Sequence, residues 1–168
     1  MFKYFGLLLI VFPLYMSAMD RETETEVAYP SPISISKMSD ITRYDFQDES
    51  YTIIGEYNNN THLYKSSIKP ARNDTKEYIN NNTAAFIFKT LELLAHPATT
   101  ITDTHTITLV SSPQLTEQII FDNDRIQYWL YEGPQAQAKV SRITPENENK
   151  PLLLQVFSHI IPAMQSYT

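Results

Sequence analysis

The stretch EQIIFDNDRIQYWLYEG, residues 117–133, carries the clearest structural signal in the chain. Two runs that are rich in β-branched and aromatic residues flank the triplet DND at 122–124. Asparagine and aspartate favour tight turns, because their side chains bond to nearby backbone groups and tolerate left-handed φ. The stretch therefore predicts a β-hairpin.

The second strand of this hairpin has two different faces, because successive side chains point to opposite sides of a sheet. The apolar face would hold Ile126, Tyr128 and Leu130. The opposite face would present Gln127, Trp129 and Tyr131. Aromatic side chains exposed on a strand suit contact with a ligand or a protein, since they bury a large area and keep a polar group. These three are our candidate binding residues, unless the N-terminal arm or a helix covers them.

Downstream of the hairpin, one short strand and one helix are predicted. The strand covers residues 138–143, and PLLLQVFSHIIPAM at 151–164 has the spacing of an amphipathic helix, with Pro151 in its first turn. The stripe expected to be buried consists of Leu153, Val156, Phe157, Ile160 and Met164.

Upstream, YTIIGEYNNNTHLYKSSI at 51–68 predicts another hairpin, in which Gly55 weakens the strand or marks a bulge. The segment 74–97 predicts a helix that starts late, with Asn82 as its N-cap, and ends at Pro97. Strict alternation in ITDTHTITLVSS at 101–112 predicts one strand. Together these patterns predict an α+β domain over residues 51–168, a two-layer arrangement of mainly antiparallel sheet with two amphipathic helices on one face.

Asp103 and His105 would point the same way in that strand, and His96 precedes them across a short loop. Such a set could hold a metal ion or let a carboxylate orient an imidazole. However, a catalytic zinc site needs three protein ligands and an open position, and only two are secure in this pattern. We therefore assign no metal ligand, and we interpret His105 as a partly buried strand residue beside Ile107 and Leu109.

The N-terminus has the layout of a secretory signal peptide over residues 1–18, in which Lys3 precedes an apolar run and Ser17 and Ala18 precede a charge. An uncleaved anchor is the alternative, although the run is shorter than a membrane span and contains a proline. Residues 19–50 are acidic and contain two close prolines, which predicts a flexible arm with at most one edge strand near Ile33.

Composition restricts the chemistry further. The chain has no cysteine, which excludes thiol catalysis, thiolate metal sites and disulfides. The net charge is −6 without a basic run, so a nucleic-acid partner is not expected. No cofactor motif is present. Sequons at Asn59, Asn73 and Asn81 could carry glycans in a eukaryotic secretory pathway.

These observations favour a small exported protein, periplasmic or secreted, that binds another protein or a small ligand without catalysis and has no membrane span after signal cleavage. Two alternatives stay open. One is a small exported hydrolase or metal-dependent enzyme that uses His105 and Asp103. The other is an envelope-associated structural protein held by an uncleaved N-terminus.

Overall fold

The computed structural model describes residues 32–102, 105–122, 125–134 and 139–165. They form ten strands and two α-helices, with a short 3-10 helix, Asn147–Asn149, before the second helix. The elements are β1 (Ile33–Met38), β2 (Ile41–Gln47), β3 (Tyr51–Asn58), β4 (Leu63–Pro70), β5 (Lys76–Ile79), α1 (Asn82–Ala95), β6 (Thr100–Thr102), β7 (Thr106–Ser112), β8 (Leu115–Phe121), β9 (Ile126–Glu132), β10 (Lys139–Ile143) and α2 (Lys150–Gln165).

The strands form two five-stranded sheets, and every neighbouring pair is antiparallel. The first sheet has the order β1-β2-β3-β4-β5, and the second has the order β10-β9-β8-β7-β6. Each sheet is thus a simple meander followed in the chain by one helix. The α+β class with mainly antiparallel sheet and two helices is confirmed, with the strands divided between two sheets.

Helix α1 lies between the inner faces of the two sheets. Phe88 makes ring contacts with Tyr44 and Tyr64 of the first sheet, at centroid distances of 5.3 and 5.4 Å. Phe86 contacts Phe121 of the second sheet at 5.5 Å. Residues 86 and 88 are about 200° apart around a helix, so these contacts leave opposite sides of α1. Ten of its residues are buried as a result.

Gly55 lets α1 approach the first sheet closely. A Cβ atom on Gly55 would lie 3.0 Å from the Cα atom of Phe88, which is tighter than most Cβ contacts in proteins, so α1 would have to shift slightly to admit it. Its cross-strand partner Ser66 is also small, and the Ser66 hydroxyl donates to the backbone carbonyl of Ala84 at 2.8 Å. Gly55 pairs in regular register on both sides, so it does not mark a bulge, which was one of the two alternatives for this position.

Helix α2 packs beside α1 and closes the same core. Phe157 contacts Phe121 at 5.1 Å and Phe86 at 6.4 Å, and His159 contacts the ring of Tyr51 at 5.5 Å. All five residues of the expected stripe are buried, together with Ile161. The helix runs through Pro162 to Gln165. The core is one continuous cluster that draws on both sheets and both helices.

Residues 33–47, which the sequence assigned to a flexible arm, form β1 and β2 of the first sheet. Ile33, Tyr44 and Phe46 are buried there, and Phe46 pairs with Ile53 of β3. The expectation of a flexible arm was wrong over this segment. Its polar residues alternate with apolar ones and face outward, so its polar composition is compatible with strands. Residues 19–31 and the signal segment 1–18 lie outside the described residues.

Two further boundaries differ from the sequence-based expectations. Residues 76–79, expected near the start of a helix, form β5, and α1 begins after an N-cap at Asn81 instead of Asn82. The side chain of Asn81 accepts a hydrogen bond from the backbone N–H of Ala84. The single strand expected over 101–112 is a hairpin of β6 and β7, in which Thr102 pairs with Thr106.

Candidate functional site

The outer face of the second sheet carries the candidate binding residues. Strand pairing aligns its side chains in rows across β6 to β10, and we call this surface the tryptophan face. It consists of Thr100, Thr102, Thr106, Thr108, Val110, Thr116, Gln118, Ile120, Gln127, Trp129, Tyr131, Val140 and Arg142. The contacts of both helices described above go to the opposite, inner face, where Ile107, Ile119 and Tyr128 are buried.

Trp129 and Tyr131 lie on β9, which is next to the edge strand β10 of this sheet. Their rings are nearly parallel, at 14°, with centroids 6.2 Å apart. Both side chains are half-buried. Gln127 lies on the same strand and the same face, one pleat before Trp129, and is also half-buried. The structure therefore brings the three sequence-derived binding candidates together on one surface.

Neighbouring strands place different groups beside each aromatic ring. Trp129 is flanked by Gln118 of β8 and Arg142 of β10. The Arg142 guanidinium lies over the indole, with its carbon 5.5 Å from the ring centroid. This cation–π contact orients an otherwise exposed side chain across the face. Arg142 and Gln118 were missed by sequence reasoning, because the pairing of β8, β9 and β10 is needed to bring them to Trp129.

The indole Nε1 of Trp129 is shielded from solvent and has no hydrogen-bond partner among the described residues. More than nine in ten buried polar groups in proteins do have a partner, so this donor is unusual. In the described parts of the chain the same holds for only one other side-chain atom, the hydroxyl oxygen of Tyr78 in the first sheet. The Nε1 atom is already shielded from solvent, so it is not a group that the tryptophan face presents to a ligand.

The two histidines weighed as metal ligands are placed apart from this face. His105 is exposed in the turn between β6 and β7, where its backbone N–H donates to the carbonyl of Thr102 at 3.3 Å. The expectation that it is a partly buried strand residue is wrong, because the chain reverses direction there. His96 is the exposed C-cap of α1, and its Nδ1 accepts from the backbone N–H of Ala98 at 3.2 Å.

Asp103, the third member of that set, lies outside the described residues. Within the ranges that the structure describes, no three side chains of His, Asp or Glu gather closely enough to hold a metal ion. His159, the histidine of α2, pairs with Asp48 at 2.8 Å and joins the helix to the turn between β2 and β3.

A cluster of titratable groups lies between α1 and the inner face of the second sheet. The Lys89 ammonium bonds to Glu92 at 2.6 Å and approaches Glu117 at 3.7 Å, and the Tyr128 hydroxyl donates to Glu117 at 2.7 Å. Burial lowers the pKa of Lys89, but the carboxylates of Glu92 and Glu117 raise it by more. Burial and the bond to Glu117 raise the pKa of Tyr128. These groups satisfy one another, which is typical of a structural network.

A second polar cluster joins the two halves at the N-terminus of α1. The carboxylate of Glu146 accepts from the backbone N–H groups of Asn82 and Thr83, at 3.1 and 2.8 Å, and from the Thr83 hydroxyl. Burial raises the pKa of Glu146, but these hydrogen bonds lower it by more. A carboxylate at a helix N-terminus is stabilising, because it compensates unpaired N–H groups and the helix dipole.

The outer face of the first sheet has different chemistry. Arg43 bonds to Asp45 at 2.7 Å and to Glu56 at 2.9 Å, so its charges are paired within the sheet. No carboxylate occurs among the residues of the tryptophan face, although the chain as a whole has a net charge of −6. The two outer faces therefore offer unlike surfaces to a partner.

Comparison of the chain with protein-family models and with curated proteins found no match. Neither helix in the described ranges has the length and apolar character needed to cross a membrane. The geometry of the chain itself thus carries the functional argument.

Proposed function

We propose that this chain is an exported, non-catalytic binding module whose binding surface is the tryptophan face. One observation carries the proposal: a parallel pair of half-exposed aromatic rings, Trp129 and Tyr131, lies on a sheet face on which neither helix of the described ranges packs. Large aromatic side chains are enriched where proteins bind partners, because they bury much area at a small entropic cost.

The composition of the tryptophan face supports a binding surface over an ordinary solvent-exposed sheet face. Val110 and Val140 are 60% and 47% exposed, and their row also contains Thr116 and Tyr131. The adjacent row contains Thr108, Gln118, Trp129 and Arg142. A mixture of aromatic and apolar side chains with a few polar groups is the usual composition of a ligand-binding surface.

The absence of catalysis rests on where the reactive groups lie. His105 and His96 are exposed in a turn and at a helix end, with no carboxylate partner among the described residues. Lys89 and Glu117 are held in a network that their mutual contacts already satisfy. None of these groups lies on the tryptophan face.

Export rests on the N-terminal segment, where Lys3 precedes an apolar run that ends near Ala18. We expect the exported protein to begin close to residue 19. Edman sequencing of the protein recovered from outside the cytoplasm checks this. Recovery of intact Met1 in the membrane fraction would mean a retained anchor, which leaves the binding proposal untouched.

Site-directed photo-crosslinking in the native host tests the binding surface. A benzophenone amino acid replaces Gln127 on the tryptophan face or, as the matched control, Ile54 on the outer face of the first sheet; both native side chains are half-buried. We expect a defined adduct from position 127 that Trp129→Ala abolishes, and none from position 54. Equal labelling at both positions, or at neither, would overturn the proposal.

The remaining outcome of this experiment is a crosslink to another part of the same chain. If position 127 crosslinks to residues 19–31 of the same chain, a tryptic digest will identify the joined peptides. The tryptophan face would then be an internal packing surface, and the proposal would fail.

A further inference from the structure

We propose that the ligand of the tryptophan face is a glycan chain, an inference that rests on the binding function proposed above. The occupant is identified by the chemistry of the face: stacked aromatic rings, uncharged hydroxyl and amide groups, one cation and no carboxylate. Sugar rings present apolar C–H faces and a rim of hydroxyl groups, so they require both kinds of contact at once.

The aromatic pair supplies the apolar contact. Trp129 and Tyr131 are nearly parallel, and their centroids are 6.2 Å apart along one strand. That separation is close to the length of one sugar unit, so consecutive units of a chain can each meet one ring. The two side chains lie on a rigid strand that is paired on both sides, which fixes their spacing before a ligand arrives.

The strands beside β9 supply the polar contacts. Gln118 lies directly opposite Trp129, and Thr116 lies directly opposite Tyr131. Each ring therefore has a neighbouring amide or hydroxyl that can both donate and accept, as sugar hydroxyls do. The Gln118 amide contacts the Thr108 hydroxyl at 3.4 Å, a long bond that a ligand hydroxyl can replace.

The charge of the tryptophan face favours a glycan over a nucleic acid, which also binds aromatic surfaces. A nucleic acid requires several cations along its backbone, and Arg142 is the one charged residue of the tryptophan face. A face without carboxylates on an acidic chain does not repel a neutral glycan or one with occasional carboxylates. Arg142 can donate to such a carboxylate or to a hydroxyl.

The only tryptophan of the chain is Trp129, so its fluorescence reports events at this face directly. We titrate the protein with cellohexaose, chitohexaose, laminarihexaose, xylohexaose and hexagalacturonate. At least one should shift the emission saturably, with a Kd below about 1 mM. If calorimetry detects no binding by any of the five at this level, the glycan proposal is wrong.

Variants then place the binding on the tryptophan face. By calorimetry, Tyr131→Ala should weaken the affinity at least tenfold, and Trp129→Phe should weaken it less than Trp129→Ala. Ile54→Ala, on the outer face of the first sheet, should leave the affinity unchanged. Binding that survives both Tyr131→Ala and Trp129→Ala would also overturn the proposal. Thermal unfolding of each variant confirms that the fold is retained.

The two proposals can fail separately. If the photo-crosslink from position 127 identifies a protein and none of the five hexasaccharides binds, the tryptophan face is a protein-binding surface. Only the glycan assignment then fails. If neither a crosslink nor a glycan is found, both proposals fail.

Discussion

The two halves of the chain have the same order of elements and very different burial. Each half is a five-stranded meander followed by a helix. Helix α1 buries ten of its 14 residues because it lies between the two sheets, whereas α2 buries six of its 16 because it packs from one side. The comparison shows that an amphipathic helix and a centrally buried helix can follow the same kind of sheet.

The outer faces of the two sheets also differ, in the kinds of side chain that they carry. On the first sheet, Arg43 is paired with Asp45 and Glu56, and this network occupies the polar surface. On the second sheet, Trp129 and Tyr131 lie among uncharged residues and one cation, Arg142. Paired charges on a sheet discourage association, while aromatic rings favour it, and this difference is the reason that we propose the second sheet as the binding surface.

The largest effect should come from removing the first two strands. Deletion of residues 1–47 removes β1 and β2 and the buried side chains of Tyr44 and Phe46, each of which contributes roughly 1.5–3 kcal/mol by burial. We expect cooperative unfolding in urea to be lost. Deletion of residues 1–31 alone is the control and should preserve the transition. A cooperative transition after the longer deletion would mean that residues 33–47 are an arm that the fold does not need.

The next largest effect should come from the centre of α1. Phe86 is fully buried and contacts rings from the second sheet and from α2, so Phe86→Ala should cost about 3–5 kcal/mol of unfolding free energy. Leu154→Ala removes a partly buried side chain on α2 and should cost clearly less. Urea denaturation measures both. Equal costs would mean that the two helices are equally central, against the comparison drawn above.

The close approach of α1 to the first sheet can be tested at Gly55. Gly55→Ala places a Cβ atom 3.0 Å from the Phe88 backbone, and the overpacking should cost about 1–3 kcal/mol. Thr52→Ala, on the outer face of the same strand, is the control and should change stability by less than about 0.5 kcal/mol. If Gly55→Ala were neutral or stabilising, α1 would not rest on the sheet at this point.

The smallest effect should appear where the two halves meet at the N-terminus of α1. Glu146→Gln weakens the cap on Asn82 and Thr83 and should cost about 0.5–2 kcal/mol near neutral pH. The pKa of Glu146 is lowered in the fold, so this contribution is present above its ordinary value of 4.5 and is lost as pH falls through the folded pKa.

Denaturation of wild type and Glu146→Gln across pH 7 to 3 measures this difference, which should shrink as the pH falls. Glu148→Gln, an exposed neighbour, serves as the control. A difference that stays constant over the whole range would mean that the charge of Glu146 plays no part in the cap.

Local patterns predicted much of the fold. The hairpin over residues 117–133 forms as β8 and β9, and the stripe on α2 is buried as its spacing indicated. These elements bury one face each, so a period of two or of 3.6 residues is visible in their sequence. The candidate residues Gln127, Trp129 and Tyr131 share a face for the same reason.

Local patterns failed where a long-range contact decides the conformation. Nothing near residue 105 reveals that the chain turns there, because β6 is only three residues long and depends on pairing with β7. Gly55 weakens an isolated strand, yet in the fold it lets α1 pack at a distance that would crowd the Cβ atom of any other residue.

The sequence by itself determined the class of the fold, the absence of thiol chemistry and the identity of the aromatic candidates, because each depends on composition or on short periods. The tertiary structure alone decided that ten strands divide into two sheets, that α1 lies between them, and that Arg142 and Gln118 flank Trp129. These features depend on contacts between residues far apart in the chain. The free energy of such contacts is gained only when distant segments meet, so no short window of sequence contains it.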